Sequence, residues 1–275
     1  MKNFSFGFEK LKPVIYSWLF IFIIAVSANS GQDLDNGKAG RRSDIIFQNS
    51  TINALLEGLY DDDVTFEQLR KHGNLGIGTF NRLDGEMVAI DGEFYKIKAA
   101  DGLAYPVPGN EKTPFSVVAD FSADSSAILE KSLNLEELLK HIDTLLPSGN
   151  IFYAFRVEGK FSYVKTRSVL PQEKPYPRLV EVVKTQSVFE FKDVEGYLVG
   201  FWFPFYMKDI NVPGYHFHFL SKDKKKGGHL LGCRTSKIRI EIDYISGFRL
   251  LLPESKDFRM MHLESKKSEL DAVEK

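Results

Sequence analysis

Three of the six histidines in this 275-residue chain, His216, His218 and His229, fall within fourteen residues of one another. In Tyr215-His216-Phe217-His218-Phe219 an extended strand puts the two imidazoles on one face and the aromatics on the other. Same-face neighbours on a strand lie roughly 7 Å apart at the backbone. From there two rings can converge on one ion at about 2.0–2.1 Å. Residues 221–228 (SKDKKKGG) are polar and end in Gly-Gly, so the chain can reverse there, and His229 opens the returning strand. Register decides whether His229 joins the pair. With Leu220 opposite His229 all three histidines share a face, whereas a slip of one residue moves His229 to the aromatic face. The shared face needs an even number of residues in the connection, and residues 221–228 satisfy it. In that register Cys233 also lies on the metal-facing side. An H-x-H on a strand is often two surface imidazoles and nothing more; a third histidine across the turn shifts the reading to a metal site. Three neutral imidazoles with an open position describe a catalytic zinc site better than a structural one, and the donor set alone leaves iron, manganese and copper open.

Two further side chains could do chemistry beside such a site. Glu86 follows a tight turn and shares strand parity with Val88 and Ile90, where a carboxylate is costly without a partner or a task. The alternative is that the turn lifts it to the rim. Arg167 shares parity with Phe161, Tyr163 and Lys165, which would aim it inward, where a guanidinium can grip a carboxylate with two bonds. Other motifs fail. Gly76-Ile77-Gly78 lacks the third glycine of a dinucleotide loop. Asp61-Asp62-Asp63 has Phe66 where a calcium loop needs its turn glycine. No G-x-S-x-G is present, and Cys233 has no reactive-cysteine signature around it.

The elements that must hold these residues are mixed. Ile52, Leu55, Leu56 and Leu59 have helical spacing with Ser50 in front as cap. Thr65-Phe66-Glu67-Gln68 is a capping-box pattern, and Asn134 caps an amphipathic helix ending before Pro147. Asp84-Gly85, Asp91-Gly92 and Asp101-Gly102 mark turns between short strands. After Ile151 strands dominate, with turns expected at Glu158-Gly159 and Glu195-Gly196 and a short helix around Leu179–Val183. The order is not βαβ throughout, so the chain reads as an α/β protein of the α+β type: two subdomains, mixed or antiparallel sheets, a few flanking helices. Lys+Arg of 36 against Asp+Glu of 37 argues against a nucleic-acid binder, which carries excess base. The single cysteine excludes an internal disulfide and a cysteine-rich zinc site.

Three lysines (Lys2, Lys10, Lys12) precede an apolar run from Val14 to Ala28 that ends in Val26-Ser27-Ala28. This is the layout of a secretory signal peptide, and the run is shorter than the roughly 20 residues of a spanning helix. The organisation expected is therefore a signal peptide over 1–28, a flexible leader over 29–45, an N-terminal subdomain over 46–165 and a C-terminal β-rich subdomain over 166–275 carrying the metal site and a tail. Cleavage removes three Lys and one Glu and moves the formal net charge from −1 to −3. A secreted or periplasmic protein with no stable membrane anchor after processing follows.

Several stretches in order resemble the acetolactate decarboxylase family. They are Thr51-Ile52-Asn53-Ala54-Leu55-Leu56-Glu57-Gly58-Leu59-Tyr60, Gly76-Ile77-Gly78-Thr79-Phe80, Leu83-Asp84-Gly85-Glu86, Pro213-Gly214-Tyr215-His216-Phe217-His218 and Gly227-Gly228-His229. The resemblance implies three zinc-binding histidines at His216, His218 and His229, a catalytic arginine and glutamate at Arg167 and Glu86, and a threonine near the substrate at Thr79. It also implies a metal-approaching tail glutamate, for which Glu274 is the positional match and Glu264 and Glu269 lie nearby. It further implies a two-domain α/β protein that pairs into homodimers. The activity implied is decarboxylation of 2-acetolactate to acetoin through a metal-stabilised enediolate with stereospecific protonation. Two other readings compete: a cupin-like metal-dependent oxygenase or isomerase, which also opens with H-x-H on a strand, and a secreted non-catalytic metal-binding module.

Overall fold

The computed structural model describes residues 44–263 together with Leu270, Ala272 and Val273. The expected signal peptide, the expected leader up to residue 43, and Glu264, Glu269 and Glu274 lie outside the described residues. The first six strands are short: β1 (Ile45–Asn49), β2 (Leu75–Thr79), β3 (Glu86–Ile90), β4 (Glu93–Ile97), β5 (Ala104–Pro106) and β6 (Ser116–Ala119). A second group follows: β7 (Ser125–Leu129), β8 (Phe152–Ser168), β9 (Ser187–Phe203), β10 (Gly214–Ser221) and β11 (Gly227–Ile245). The last strand, β12 (Gly247–Leu251), returns to the first group and pairs in parallel with β1. The first sheet runs β12-β1-β6-β2-β3-β4-β5 and the second β10-β9-β8-β11-β7. Among the described residues every strand pairing except β1–β12 is antiparallel, which gives the mixed α+β class. Residues 165 and 166, either side of the expected subdomain division, both lie in β8.

The helices are few and short. The helix α1 (Ile52–Leu56) is capped by Thr51, whose hydroxyl accepts from the Ala54 N–H; Ser50, the expected cap, is left-handed at φ 62°. In α2 (Phe66–Leu69) the capping box of Thr65 and Gln68 is closed from both ends. The helix α3 (Leu135–Asp143) is capped reciprocally by Asn134 and Glu137 and buries Leu138 and Ile142 against the second sheet, each contributing about 1.5–3 kcal/mol. Two more helices, α4 (Leu179–Val182) and α5 (Lys256–Met260), are single turns.

Two expected turns are not turns. Gly159 and Gly196 sit in mid-strand and face each other across the β8–β9 ladder. Strand β8 therefore runs through Glu158-Gly159, and β9 through Glu195-Gly196, without reversing. Glycine is needed there for close approach. A Cβ on Gly159 would lie 2.2 Å from the Lys237 carbonyl oxygen, and one on Gly196 2.5 Å from the Phe219 ring.

Long strands must bend to wrap a core, and these do so at bulges. Strand β11 pairs His229 with Arg167 and Leu230 with Thr166, then slips before Gly232, which pairs with Lys165. The extra residue reverses the side-chain alternation. Cys233 therefore joins Phe161, Phe217 and Phe219 in the apolar cluster on the dry face, not the histidine face that an unbroken strand would give it. Burial there pushes its thiol up to about 12. Strand β8 changes phase in the same region. Phe161 and Val164 both face the dry cluster, so Arg167 reaches the opposite face and does not share the side of Phe161 as simple parity predicts.

Candidate active site

The hairpin β10–β11 pairs His218 with His229 and Leu220 with Gly227. The register differs by two residues from the one expected, and the connection is correspondingly tighter, with Ser221 N–H donating to the Lys226 carbonyl at 2.8 Å. A shift of two residues preserves the face. All three histidines consequently point the same way and are buried. Their ring centroids form a near-equilateral triangle: 5.1 Å between His216 and His218, 4.9 Å between His216 and His229, and 5.3 Å between His218 and His229.

One nitrogen from each ring lies within 4.8 Å of the others, the single group of that kind among the described residues. His216 Nε2 and His229 Nδ1 are 3.1 Å apart. Nitrogens around a tetrahedral ion with bonds of about 2.0–2.1 Å sit roughly 3.3 Å apart, so the arrangement is already close to what an ion requires. His218 Nδ1 lies 2.8 Å from the Met87 carbonyl oxygen. A carbonyl can only accept, so Nδ1 carries the proton and Nε2 is left as the ligand atom. That Nε2 is buried and has no hydrogen-bond partner, the signature of a donor set made for something other than protein. Burial, with the Arg167 charge beside it, pushes His216 down to about 3. His218 is driven well below the usual imidazole range by burial first and by its histidine neighbour second. Both rings are neutral at physiological pH, the form a metal binds. The residues present fit a metal ion.

The first sheet supplies the other side. Strand β3 packs against β10 and β11. Glu86, the first residue of β3, is buried on the face of Val88 and Ile90, not lifted to a rim. Its Oε2 lies 3.6 Å from His218 Nε2. Thr79, its ladder partner on β2, donates from Oγ1 to the Gly85 carbonyl at 2.8 Å, which leaves the hydroxyl oxygen to accept. Arg167, on β8 opposite His229, is buried with Nε unpartnered. All six residues, Thr79, Glu86, Arg167, His216, His218 and His229, line one cavity of about 50 Å³. Its remaining wall is apolar, including Leu55, Leu83, Val169, Leu179 and Val273. A larger cavity of about 810 Å³ lies elsewhere, lined in part by Asp61, Lys174, Tyr176 and Glu254, with none of the histidines.

Sequence reasoning missed the apolar wall and the backbone anchors. Val273 lines the cavity from the C-terminal segment, and nothing in its local pattern marks it. The Met87 carbonyl that sets the His218 tautomer, and the Ile97 carbonyl that accepts from Ser168 Oγ at 2.8 Å and ties β8 to β4, are backbone groups that carry no side-chain signal.

Among known proteins, an alpha-acetolactate decarboxylase of Methanosarcina mazei is 50% identical over 234 residues, 85% of this chain and 81% of that one. One of Methylococcus capsulatus is 46% identical over 78% of this chain and 82% of its own length. The crystal structure of alpha-acetolactate decarboxylase from Bacillus subtilis strain 168 superposes with a TM-score of 0.82 at 39% identity, covering 84% of this chain and 99% of that one. The family's sequence profile matches residues 46–265. This chain belongs to the alpha-acetolactate decarboxylase family.

Proposed function

We infer that this protein removes CO₂ from 2-acetolactate and releases acetoin, with zinc held by His216, His218 and His229. The observation that carries the inference is the convergence of three buried imidazoles, a buried carboxylate and a buried guanidinium on one small apolar-walled cavity, in a chain of this family. When bound, the ion supplies Lewis acidity to the ketone and hydroxyl oxygens of the substrate, worth several kcal/mol at the transition state.

The remaining chemistry belongs to the chain. Arg167 grips the substrate carboxylate and aligns the bond to be broken. As that bond breaks, its electron pair moves into the adjacent ketone, so no organic cofactor is needed. The carbon that lost CO₂ must then gain a proton, and the reaction consumes one proton overall. Glu86 delivers it as general acid and is recharged from solvent. Thr79, whose hydroxyl proton is committed to Gly85, orients the substrate hydroxyl by accepting from it. Leu55, Val169 and Leu179 keep water away from the reacting carbon, so the proton arrives from a fixed donor on one face and the product is one enantiomer. Glu274 is proposed as a second acid/base; what supports it is the family's tail glutamate and the presence of its neighbour Val273 in the cavity wall.

Metal-loaded protein incubated with racemic acetolactate should give acetoin, and a yield no higher than that of the metal-free protein would sink the reading. Elemental analysis identifies the ion. Removal with EDTA should abolish activity while the far-UV CD of the sheets persists; loss of both together would instead indicate a non-catalytic module with a structural metal. We further propose an exported homodimer. The signal-peptide layout of residues 1–28 and the family resemblance support it, and N-terminal sequencing of exported protein and sedimentation would check it. Among the described residues no helix is long and apolar enough to cross a membrane.

A further inference from the structure

Between β2 and β3 the chain passes through three left-handed residues: Arg82 (φ 65°), Leu83 (φ 56°) and Gly85 (φ 96°). Only the last is a glycine. Non-glycine backbone of this kind persists where its surroundings over-determine it, and it concentrates at functional sites. This turn is the one that brings Thr79 and Glu86 to the histidines. Three of its clamps are ordinary: Arg82 N–H donates to the Tyr60 carbonyl at 2.7 Å, Gln172 N–H donates to the Arg82 carbonyl at 2.7 Å, and Thr79 Oγ1 donates to the Gly85 carbonyl.

The fourth clamp is a buried lysine. Lys96, on β4, is only 9% exposed. Its Nζ lies 2.9 Å from Asp84 Oδ2 and 2.7 Å from Glu111 Oε2, and 4.3 Å from the centroid of the buried Phe80 ring. Its stem passes under the turn, with Cγ 3.4 Å from where a Cβ on Gly85 would stand. The neighbouring Ile97 pairs with Glu86 and faces the core between the sheets, so Lys96 supports the turn from the opposite face of the same sheet. The two carboxylates sit on different segments. Glu111 is anchored where its carbonyl accepts from the Phe66 N–H at 3.0 Å, whereas Asp84 belongs to the turn itself. Without the ammonium, two partly exposed carboxylates would be left facing each other with no cation between them, and Asp84 is the one whose displacement would move the turn.

We propose that Lys96 is a positioning residue for the reaction: by holding Asp84 against Glu111 it locks the Arg82–Gly85 turn and so aims Glu86 and Thr79 at the three-histidine site. The proposal rests on the decarboxylase reading above. The test compares Lys96→Met, Lys96→Arg, Asp84→Asn and Glu111→Gln in the full zinc-loaded chain, measuring zinc per chain, KM and kcat for acetolactate, and Tm. Misplacing a catalytic group by about 1 Å costs about 100-fold. Lys96→Met should therefore keep its zinc and lose about 100-fold in kcat, with KM changed much less because the histidines and Arg167 are untouched. Lys96→Arg should recover most of kcat, and Asp84→Asn should cost more kcat than Glu111→Gln.

A Lys96→Met protein with wild-type kcat per zinc-loaded chain, whatever its Tm, would overturn the proposal. If that variant fails to fold, equal kcat losses in Asp84→Asn and Glu111→Gln would overturn it instead. Absence of acetoin from the wild type would be a failure of the decarboxylase reading; an active wild type beside an unimpaired Lys96→Met would be a failure of this proposal alone.

Discussion

The two sides of the cavity are built on different principles. The histidine side is a regular antiparallel hairpin: His218 faces His229 in the ladder, His216 precedes His218 by two residues, and no left-handed residue separates His216 from His218. The acid side hangs on a turn with two consecutive left-handed non-glycine residues, clamped from Tyr60, Gln172 and Lys96. The ladder places three ligands cheaply, because alternation and pairing repeat the same geometry. It cannot place a carboxylate from the other sheet at the same spot. Strained backbone, stabilised by its neighbours, does that. Metal affinity should therefore depend on the hairpin and proton transfer on the turn, and the two should be separable by mutation.

The largest effect should come from the histidine side. His218→Ala removes the orphaned Nε2, so bound zinc and acetoin formation should both fall about a thousandfold or more, with far-UV CD nearly unchanged. A variant that retains stoichiometric zinc by elemental analysis would break the comparison at its base. Arg167→Ala tests whether everything on the hairpin's sheet serves the metal. It should keep the ion and lose about 100-fold in kcat; an unchanged rate would remove Arg167 from the mechanism. On the acid side, Gly85→Ala forces a Cβ to 2.4 Å from the Ile97 carbonyl oxygen at φ 96°. The strained turn should shift, costing about 2–4 kcal/mol of stability and roughly tenfold or more in kcat, with zinc retained. Zinc loss in that variant, seen by elemental analysis, would show that the two sides are not separable.

The smallest effect belongs to a carboxyl outside both sides. Asp243 is buried and pushed up to about 6, by desolvation first and by Asp124 and Asp44 among its neighbours. Its folded value lies above that of the unfolded chain, so between about pH 4 and 6 the folded state holds the proton longer. Stability contributed by the protonated form is complete below that window, falls as pH rises through it, and levels off above about 6. Asp243→Asn mimics the protonated form. It should raise stability at pH 7.5 by on the order of 2 kcal/mol, or about 4–8 °C in Tm, and change little at pH 4. Calorimetry at the two pH values checks the sign, and kcat per zinc-loaded chain should not move.

How much was legible varies with how local each signal is. The shared face of His216, His218 and His229 followed from period-two alternation and an even-length connection, and it survived a register two residues away from the one assumed because only parity matters. The capping box at Thr65 and the cap at Asn134 were legible because donor, acceptor and spacing lie within four residues. Glu158-Gly159 and Glu195-Gly196 were misread because glycine serves a turn and a close backbone approach equally well, and only the neighbouring strands distinguish them. Cys233 and the Phe161–Arg167 parity were misread for a related reason: a bulge adds one residue to a ladder without altering local composition.

The chain by itself determined the donor set, the face the donors share and the family the chain resembles, since these depend on residue types and short-range periodicity. Tertiary structure decided which carboxylate and guanidinium meet the histidines, which nitrogen of His218 is free, which side Cys233 faces, and that a buried lysine meets Asp84 and Glu111 beneath the turn before β3. Each of those depends on distances between strands from two different sheets, set by bulges, close glycine contacts and core packing. No window of a few residues contains both partners.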